Sequence, residues 1–541
     1  MTYSINRRNL MKIGALGLGA MSVPGAATIL SARGFTHGIA SGEPSANSVL
    51  LWTRYVASGD TVLRAEIARD AQFTQVVGGG DVTARGEADF TAKITIGDLP
   101  TGSWLYYRFI APDGTISPFG RTRTLPVGDV SRFGIGLFSC SNMPFGWFNA
   151  YGHAARRDDL DVLIHCGDYL YEYGNGHYPE IKDVVAGRLV QPDHEILTLA
   201  DYRMRYAAYR LDPDLQQLHA AYPMIAQWDD HETANDSYKD GAENHQPESE
   251  GDWATRKRIA ERVYREWMPV SDEDYSAYQI GTLATIFRPE TRLIGRVKQL
   301  ELKDALAGRQ DIQRALADFR DGAWSAADRT VMGMKQEKWL YDGISASTNS
   351  GTGWQVLAQQ IVMGNLRSPS QIVDWVPQGA PEMVQQAAWA AVTASQAGLP
   401  FNLDAWDGYP AARRRLYEAS LNANADLVVL SGDSHNAWGN NLTYGTQPVG
   451  VEFAGHSVTS PGFEKYFANQ KPTDVARALQ ETNPGLVFND TSRRGYVSLD
   501  IRPEAVTGSW HFMKTVLQRD PTVAQSTTMR VRRGEHVLEQ V

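Results

Sequence analysis

Val162-Leu163-Ile164-His165-Cys166-Gly167-Asp168-Tyr169-Leu170-Tyr171-Glu172 decides the fold class. A short apolar run of buried-strand length meets a Gly-Asp turn and then a cluster of polar groups. That is how a strand reads when its C-terminal end carries chemistry. The same pattern recurs on both sides. Upstream, Phe133 to Phe138 closes as Ser139-Cys140-Ser141-Asn142. Downstream, Met224 to Gln227 closes as Trp228-Asp229-Asp230-His231-Glu232, with Asn235-Asp236 just beyond, and Leu427 to Leu430 closes as Ser431-Gly432-Asp433-Ser434-His435-Asn436. A further apolar run stands at Trp354 to Leu357, and late strands are expected at Gly450 to Phe453 and Gly495 to Ile501. Helical stretches, Leu197 to Arg210 and Asp252 to Trp267, lie between them. This alternation predicts an α/β layered core over residues 129–515.

Ahead of that core, residues 35–126 read as strands and turns. Val49 to Arg54, Asp89 to Ile96 and Trp104 to Phe109 are strand-like, with Phe90, Ala92, Ile94 and Ile96 on one face of the second. Gly, Pro and Asp-Gly turns separate them, which predicts a small β-sandwich. Residues 517–541 read as a polar tail without a legible role. The 541 residues, 43% apolar and 21% charged, exclude disorder and leave room for several domains at roughly 150 residues each. With 52 basic against 62 acidic residues the formal charge is -10, against a reader of duplex nucleic acid. An anionic substrate then requires a local positive site, such as a metal ion.

The first 27 residues read as an address. Arg7-Arg8 precedes a Gly-rich apolar stretch from Ile13 to Val23 and small residues at Pro24-Gly25-Ala26-Ala27, with three basic and no acidic residues in all. This is the pattern of a twin-arginine export signal, handled by the twin-arginine export machinery and leading to a periplasmic or secreted location. The stretch is too short to span a bilayer, which takes about 20 apolar residues, and no stable membrane span is expected elsewhere. The two cysteines, Cys140 and Cys166, are too few for a disulfide scaffold, although a single bridge remains open at this stage.

Taken singly, each strand-end cluster has a plain structural reading: an Asp after Gly as a turn or cap, a His as a bonded core residue, a Cys as a small hydrophobe. Together they do not. Unpaired carboxylates converging on one sheet edge repel unless protonated or bridged by cations. Thiolate and phenolate suit a trivalent or softer metal, whereas carboxylate and amide oxygens suit a hard divalent one, so the pattern points to a dinuclear centre.

At these residues the sequence resembles the PhoD-like alkaline phosphatase family, within the calcineurin-like metallophosphoesterase superfamily. The resemblance rests on His37-Gly38-Ile39-Ala40-Ser41-Gly42-Glu43-Pro44, Leu51-Trp52-Thr53-Arg54, Gly167 to Glu172, Trp228 to Glu232, Asp404-Ala405-Trp406-Asp407-Gly408-Tyr409 and Ser431 to His435. It implies an N-terminal β-sandwich joined to a four-layer αββα core, and an iron(III) and calcium centre. Carried over by motif, Cys140, Asp168, Tyr171 and His435 would hold iron, while Asp168 would bridge to calcium, approached by Asp230 and Asp433. His231 would be the catalytic histidine, and Asn235 would meet substrate or calcium, or else cap a following helix. Cys166 departs from the family pattern and is expected in the core. The implied function is an exported phosphoesterase, an alkaline phosphatase or phosphodiesterase releasing phosphate from organic esters with a metal-bound hydroxide or oxide nucleophile. A phospholipase D-like diesterase and a non-catalytic exported binding protein are the competing readings. Trp147, Phe148 and Tyr238 are candidates to line the entrance.

Overall fold

The computed structural model describes residues 25–541 apart from 378, 380 and 381. The proposed export signal lies almost wholly outside the described residues. No helix among them is long and apolar enough to cross a membrane.

Two large sheets organise the chain. Three parallel strands, Phe133–Phe138, Val162–His165 and Pro223–Ala226, form the centre of a ten-stranded sheet. Each is buried along its whole length, which is why they read as continuous apolar runs rather than alternating ones. A second sheet of seven strands holds four more in parallel: Ala284–Arg288, Trp354–Ala358, Leu427–Ser431 and Gln447–Ala454. Ile135, Leu137, Val162 and Ile164 of the first sheet share one core with Val356, Val428, Leu430 and Val451 of the second. The helices Leu199–Arg210, Pro213–Ala221 and Trp253–Trp267 contribute to a core that includes Phe138, Leu163 and Met224 of the first sheet. Met334–Asn349 and Pro410–Ala423 do the same with Leu357, Leu427 and Val429 of the second.

The helix ends follow from side-chain chemistry. Thr198 caps Leu199–Arg210 in a reciprocal capping box with Asp201, and the Asp252 side chain accepts from Thr255 N ahead of Trp253–Trp267.

The C-terminal part of the chain departs from its sequence reading, and the N-terminal segment divides between two sheets. Gly34–Gly42, Val49–Val56 and Thr91–Ile96 continue the ten-stranded sheet through the parallel pairs Ser41↔Pro223 and Gly42↔Met224. Thr61–Ala68, Val76–Ala84, Trp104–Ile110 and Gly120–Arg123 form a separate four-stranded sheet, and Leu63, Ile67 and Phe109 share a core with Val49 and Leu51. Asp89 and Phe90 do not extend their strand. Both have positive φ, and Arg54 holds the Asp89 carboxylate at 2.8 Å. The C-terminal residues are not a loose tail either. Val523–Arg532 pairs with Ala505–Met513, Leu538–Gln540 pairs with it in turn, and Met529, Val531 and Leu538 are buried in the inter-sheet core. The alternation was hidden by the exposed polar partners, Gln525, Ser526 and Arg532 among them.

Candidate metal centre

The parallel strands end at one edge, and the chain there is held in uncommon backbone geometry. Cys140, Asp168, Asp433 and His435 have φ of 58°, 54°, 64° and 63°. Non-glycine residues in that region carry strain and cluster at functional sites. Both Gly-Asp turns are steric necessities. A Cβ on Gly167, whose φ is +98°, would lie 2.3 Å from Asp229 Cβ, and one on Gly432 would lie 2.5 Å from Ser139 Cβ. The strand ends therefore approach to backbone contact, and the Asp after each glycine is turned into the gap.

The ligand atoms of Cys140, Asp168 and His435 lie within 4.8 Å of one another, as do those of Asp168, Asp230 and His231, and those of Asp229, Asp230 and Asp433. Asp168 belongs to the first two groups. Tyr171 joins the first through its hydroxyl, 3.0 Å from Asp168 Oδ2 and 3.1 Å from His435 Nε2. That hydroxyl also accepts from Ser460 Oγ at 2.8 Å. The Nδ1–H of His435 donates to the Pro461 carbonyl at 2.9 Å, which turns the lone pair of Nε2 toward Tyr171 and Asp168. One phenolic proton thus faces two acceptors.

The donor set fits a cation pair. Asp168 Oδ1, Asp229 Oδ2 and Asp230 Oδ1 are buried without hydrogen-bond partners, and buried acceptors left unpaired are costly. Burial, with Asp168 next in effect, pushes the Cys140 thiol well up. Burial likewise raises Asp168, although His231 works against it, and raises Asp433, with Asp229 adding to it. Burial lowers His435 to about 3. Burial thus disfavours charge on Cys140, Asp168 and Asp433; at Asp230 it is outweighed by Arg292 and His231, which hold that carboxyl well down, and a cation favours the charged form of all four.

The surrounding carboxylates have distinct tasks. Glu232 accepts from the backbone N–H groups of Asp168, Tyr169 and Asp229, at 3.0, 2.5 and 2.8 Å, and so ties two strand ends together. Glu172 accepts from His231 Nδ1 at 2.7 Å. Burial alone would lower the His231 pKa, but Glu172, Asp168 and Asp230 raise it well above the ordinary value. The Glu172 contact fixes the ring and favours its protonated form.

Every metal candidate read from the sequence falls in this assembly. Asn235 sits beside it. Its backbone N–H donates to Glu172 Oε1 at 2.7 Å and its amide to Glu243 Oε2 at 3.2 Å, and turns rather than a helix follow it. Cys166 packs in the inter-sheet core, and both cysteines are free. Phe148 is fully buried, so it lines no entrance. Trp147 stacks under Arg188, and Tyr238 makes a β-bridge with Gly241.

Sequence reasoning missed Arg292. Fully buried, its guanidinium pairs with Asp229, with Asp404 at 2.6 Å and with Asp433 at 3.0 Å, and it lies 3.7 Å from Asp230. Arg292 follows the buried strand Ala284–Arg288, so the strand-end rule would have found it had that strand been recognised. The loop 455–461, which supplies Ser460 and Pro461, carried no signal.

The sequence profile of the PhoD-like phosphatase family matches residues 133–510, and that of its N-terminal domain matches residues 22–126. The chain is 32% identical over 537 residues to alkaline phosphatase D of Bacillus subtilis (strain 168), covering 95% of this chain and 83% of that protein. The solved structure of PhoD superimposes with a TM-score of 0.75 at 28% identity, covering 94% of this chain and 92% of that one. With profile, relative and solved fold agreeing over nearly the whole chain, the protein belongs to the PhoD-like phosphatase family and is a phosphoric ester hydrolase of the alkaline phosphatase type.

Proposed function

We propose that this phosphatase is exported by the twin-arginine route and works with iron(III) held by Cys140, Asp168, Tyr171 and His435, and calcium approached by Asp168, Asp230 and Asp433. The carrying observation is that Asp168, with one oxygen unpartnered, belongs to both the thiol–imidazole group and the carboxylate–imidazole group. Thiol, phenol and imidazole donors on one side and carboxylates on the other match a softer and a harder cation. Three of the cores described above support the four-layer core implied by the family, and the fourth, shared by Leu63, Ile67, Phe109, Val49 and Leu51, supports its N-terminal β-sandwich.

When bound, the metals supply positive charge that makes a water acidic and offsets charge on phosphate. The residues do the remaining work. Glu172 orients His231, which as a cation holds a proton for the departing alkoxide and leaves Nε2 as the ring atom available to a substrate. Asn235, anchored on Glu172, stands beside it for a substrate oxygen. Overall, water adds to phosphorus and gives up a proton, the bond from phosphorus to the ester oxygen breaks, the alcohol leaves with the proton from His231, and the proton released by water restores His231.

Metal analysis of the purified protein is expected to find iron and calcium. Asp168→Asn is expected to lose metal and to fall to near-background hydrolysis with the fold retained by circular dichroism; full activity with full metal content overturns the assignment. A calcium-selective chelator is expected to inactivate and added calcium to restore, whereas recovery with zinc alone would replace calcium by a transition metal. Replacing Arg7 and Arg8 by lysine is expected to leave the precursor inside the cell.

A further inference from the structure

An aromatic wall leads outward from His231. Its ring lies 4.1 Å from that of Tyr171 and 5.5 Å, edge-on, from that of Tyr173. The Tyr178 ring follows at 6.3 Å from Tyr171 and 5.7 Å from Tyr173, and Phe145 stands 4.8 Å beyond Tyr178. Tyr173, Tyr178 and Phe145 are half-buried, so each presents part of a ring to solvent. At the outer end the ammonium of Lys465 lies 4.6 Å from the Phe145 ring and 5.4 Å from the Tyr178 ring.

Lys465 is exposed and, among the described residues, has no carboxylate at ion-pair distance. Its acidic neighbours are otherwise engaged. Glu180 is bridged to Lys182 at 2.8 Å, and Glu464 is paired with the buried Arg494. The two rings hold the ammonium in place by cation–π attraction, and Glu180, bridged to Lys182, acts on it from beyond ion-pair distance. In a chain of formal charge -10, a cation without a contact ion pair on an aromatic path from the centre is a selective feature.

We propose that Tyr173, Tyr178, Phe145 and Lys465 form the leaving-group subsite, which takes a ring-bearing alcohol that carries a second anionic group. This rests on the phosphatase reading and deepens it. The ring of the departing alcohol stacks on the tyrosines. Its second phosphate meets Lys465, while the scissile phosphate lies at the centre beside His231. A simple alkyl monoester fills only the inner end.

The test compares a nucleoside 3′,5′-bisphosphate, 4-nitrophenyl phosphate and glycerol phosphate as substrates of the metal-loaded enzyme. For Lys465→Glu, the ratio of kcat/KM for the bisphosphate to that for glycerol phosphate is expected to fall about tenfold or more, carried by KM. Lys465→Arg is expected to keep the ratio within about twofold of the parent. For Tyr178→Leu, the ratio of 4-nitrophenyl phosphate to glycerol phosphate is expected to fall several-fold. An unchanged bisphosphate ratio in Lys465→Glu overturns the subsite. If the parent enzyme turns over none of the three, the phosphatase reading fails instead. Calorimetric titration of the bisphosphate into parent and Lys465→Glu then decides the subsite alone, weaker binding to the variant supporting it and equal binding overturning it.

Discussion

At Cys140 the chain leaves the strand Phe133–Phe138 with a positive φ, and its sulfur stands in the group with Asp168 and His435. Cys166, at the end of the neighbouring strand, donates its backbone N–H to Phe138 O at 2.8 Å and puts its side chain between the sheets. Their expected chemistry differs accordingly. Cys140→Ser should weaken iron binding, remove or shift any thiolate-to-iron visible band and reduce hydrolysis by at least an order of magnitude. Cys166→Ser should keep colour and most activity while lowering the melting temperature, because it buries a hydroxyl in an apolar core at a cost of about 1–3 kcal/mol. Equal iron loss in the two variants would contradict this division. At this scale the sequence was readable where a residue's chemistry is unusual for its place, as with an Asp after Gly at a strand end. Arg292 was not readable in this way. Arginine is common on surfaces, and nothing local says that this one is buried among four carboxylates.

The strand-to-turn unit is the next scale, and Gly167 tests it. Alanine there meets two penalties, a φ of +98° and a Cβ within 2.3 Å of Asp229 Cβ. Backbone strain alone costs about 1–3 kcal/mol, and relief of the contact pushes the Asp168 and Asp229 ends apart. Gly167→Ala should therefore lose activity out of proportion to its loss of melting temperature; wild-type kinetics would show that the strand ends need not touch. Strand existence was legible where apolar residues run together, as in Phe133–Phe138, or recur at every second position, as Val497, Leu499 and Ile501 do in Gly495–Ile501, and both strands fall on their expected bounds. The strand Ala284–Arg288 was not, because Thr285 and Arg288 interrupt its apolar pattern. Both are buried with hydrogen-bond partners, Thr285 Oγ1 on Gln279 at 2.9 Å and the Arg288 guanidinium on the Glu273 carbonyl at 3.0 Å, while Arg288 Nε has none. A buried polar residue is silent in a hydropathy pattern.

For the whole molecule, buried neutral histidines set the response to acid. Burial lowers His165, His456 and His511 to about 3 and His153 to about 4. The unfolded chain protonates these groups near 6.5 and the folded chain does not, so the unfolded state binds more protons between those values. Their contribution to stability is fully present above about pH 6.5 and declines as pH falls toward 4. Raised acids such as Glu232, pushed up to about 8 chiefly by burial, work in the opposite sense over the same range, so the histidine contribution is read by difference. From pH 7 to pH 5 the melting temperature of His511→Asn should change less steeply downward than that of the parent, and identical slopes would contradict the assignment. The C-terminal strands carry a second prediction. Ending the chain at residue 516 removes Met529, Val531 and Leu538 from the core and takes Arg519, 2.9 Å away, from the buried Asp214. Such a protein should be largely insoluble when expressed. The family motifs gave no hint of this, since the sealing strands lie beyond them and alternate with exposed polar residues.

The antiparallel pairing of Phe133–Phe138 with Gly495–Ile501 has a consequence for biosynthesis. The first strand emerges from the ribosome more than three hundred residues before its partner exists. At about 5–20 residues per second, that interval lasts tens of seconds. Throughout it the strand is an open apolar edge, able to template pairing with other nascent chains. That edge of the strand therefore closes only when synthesis is nearly finished.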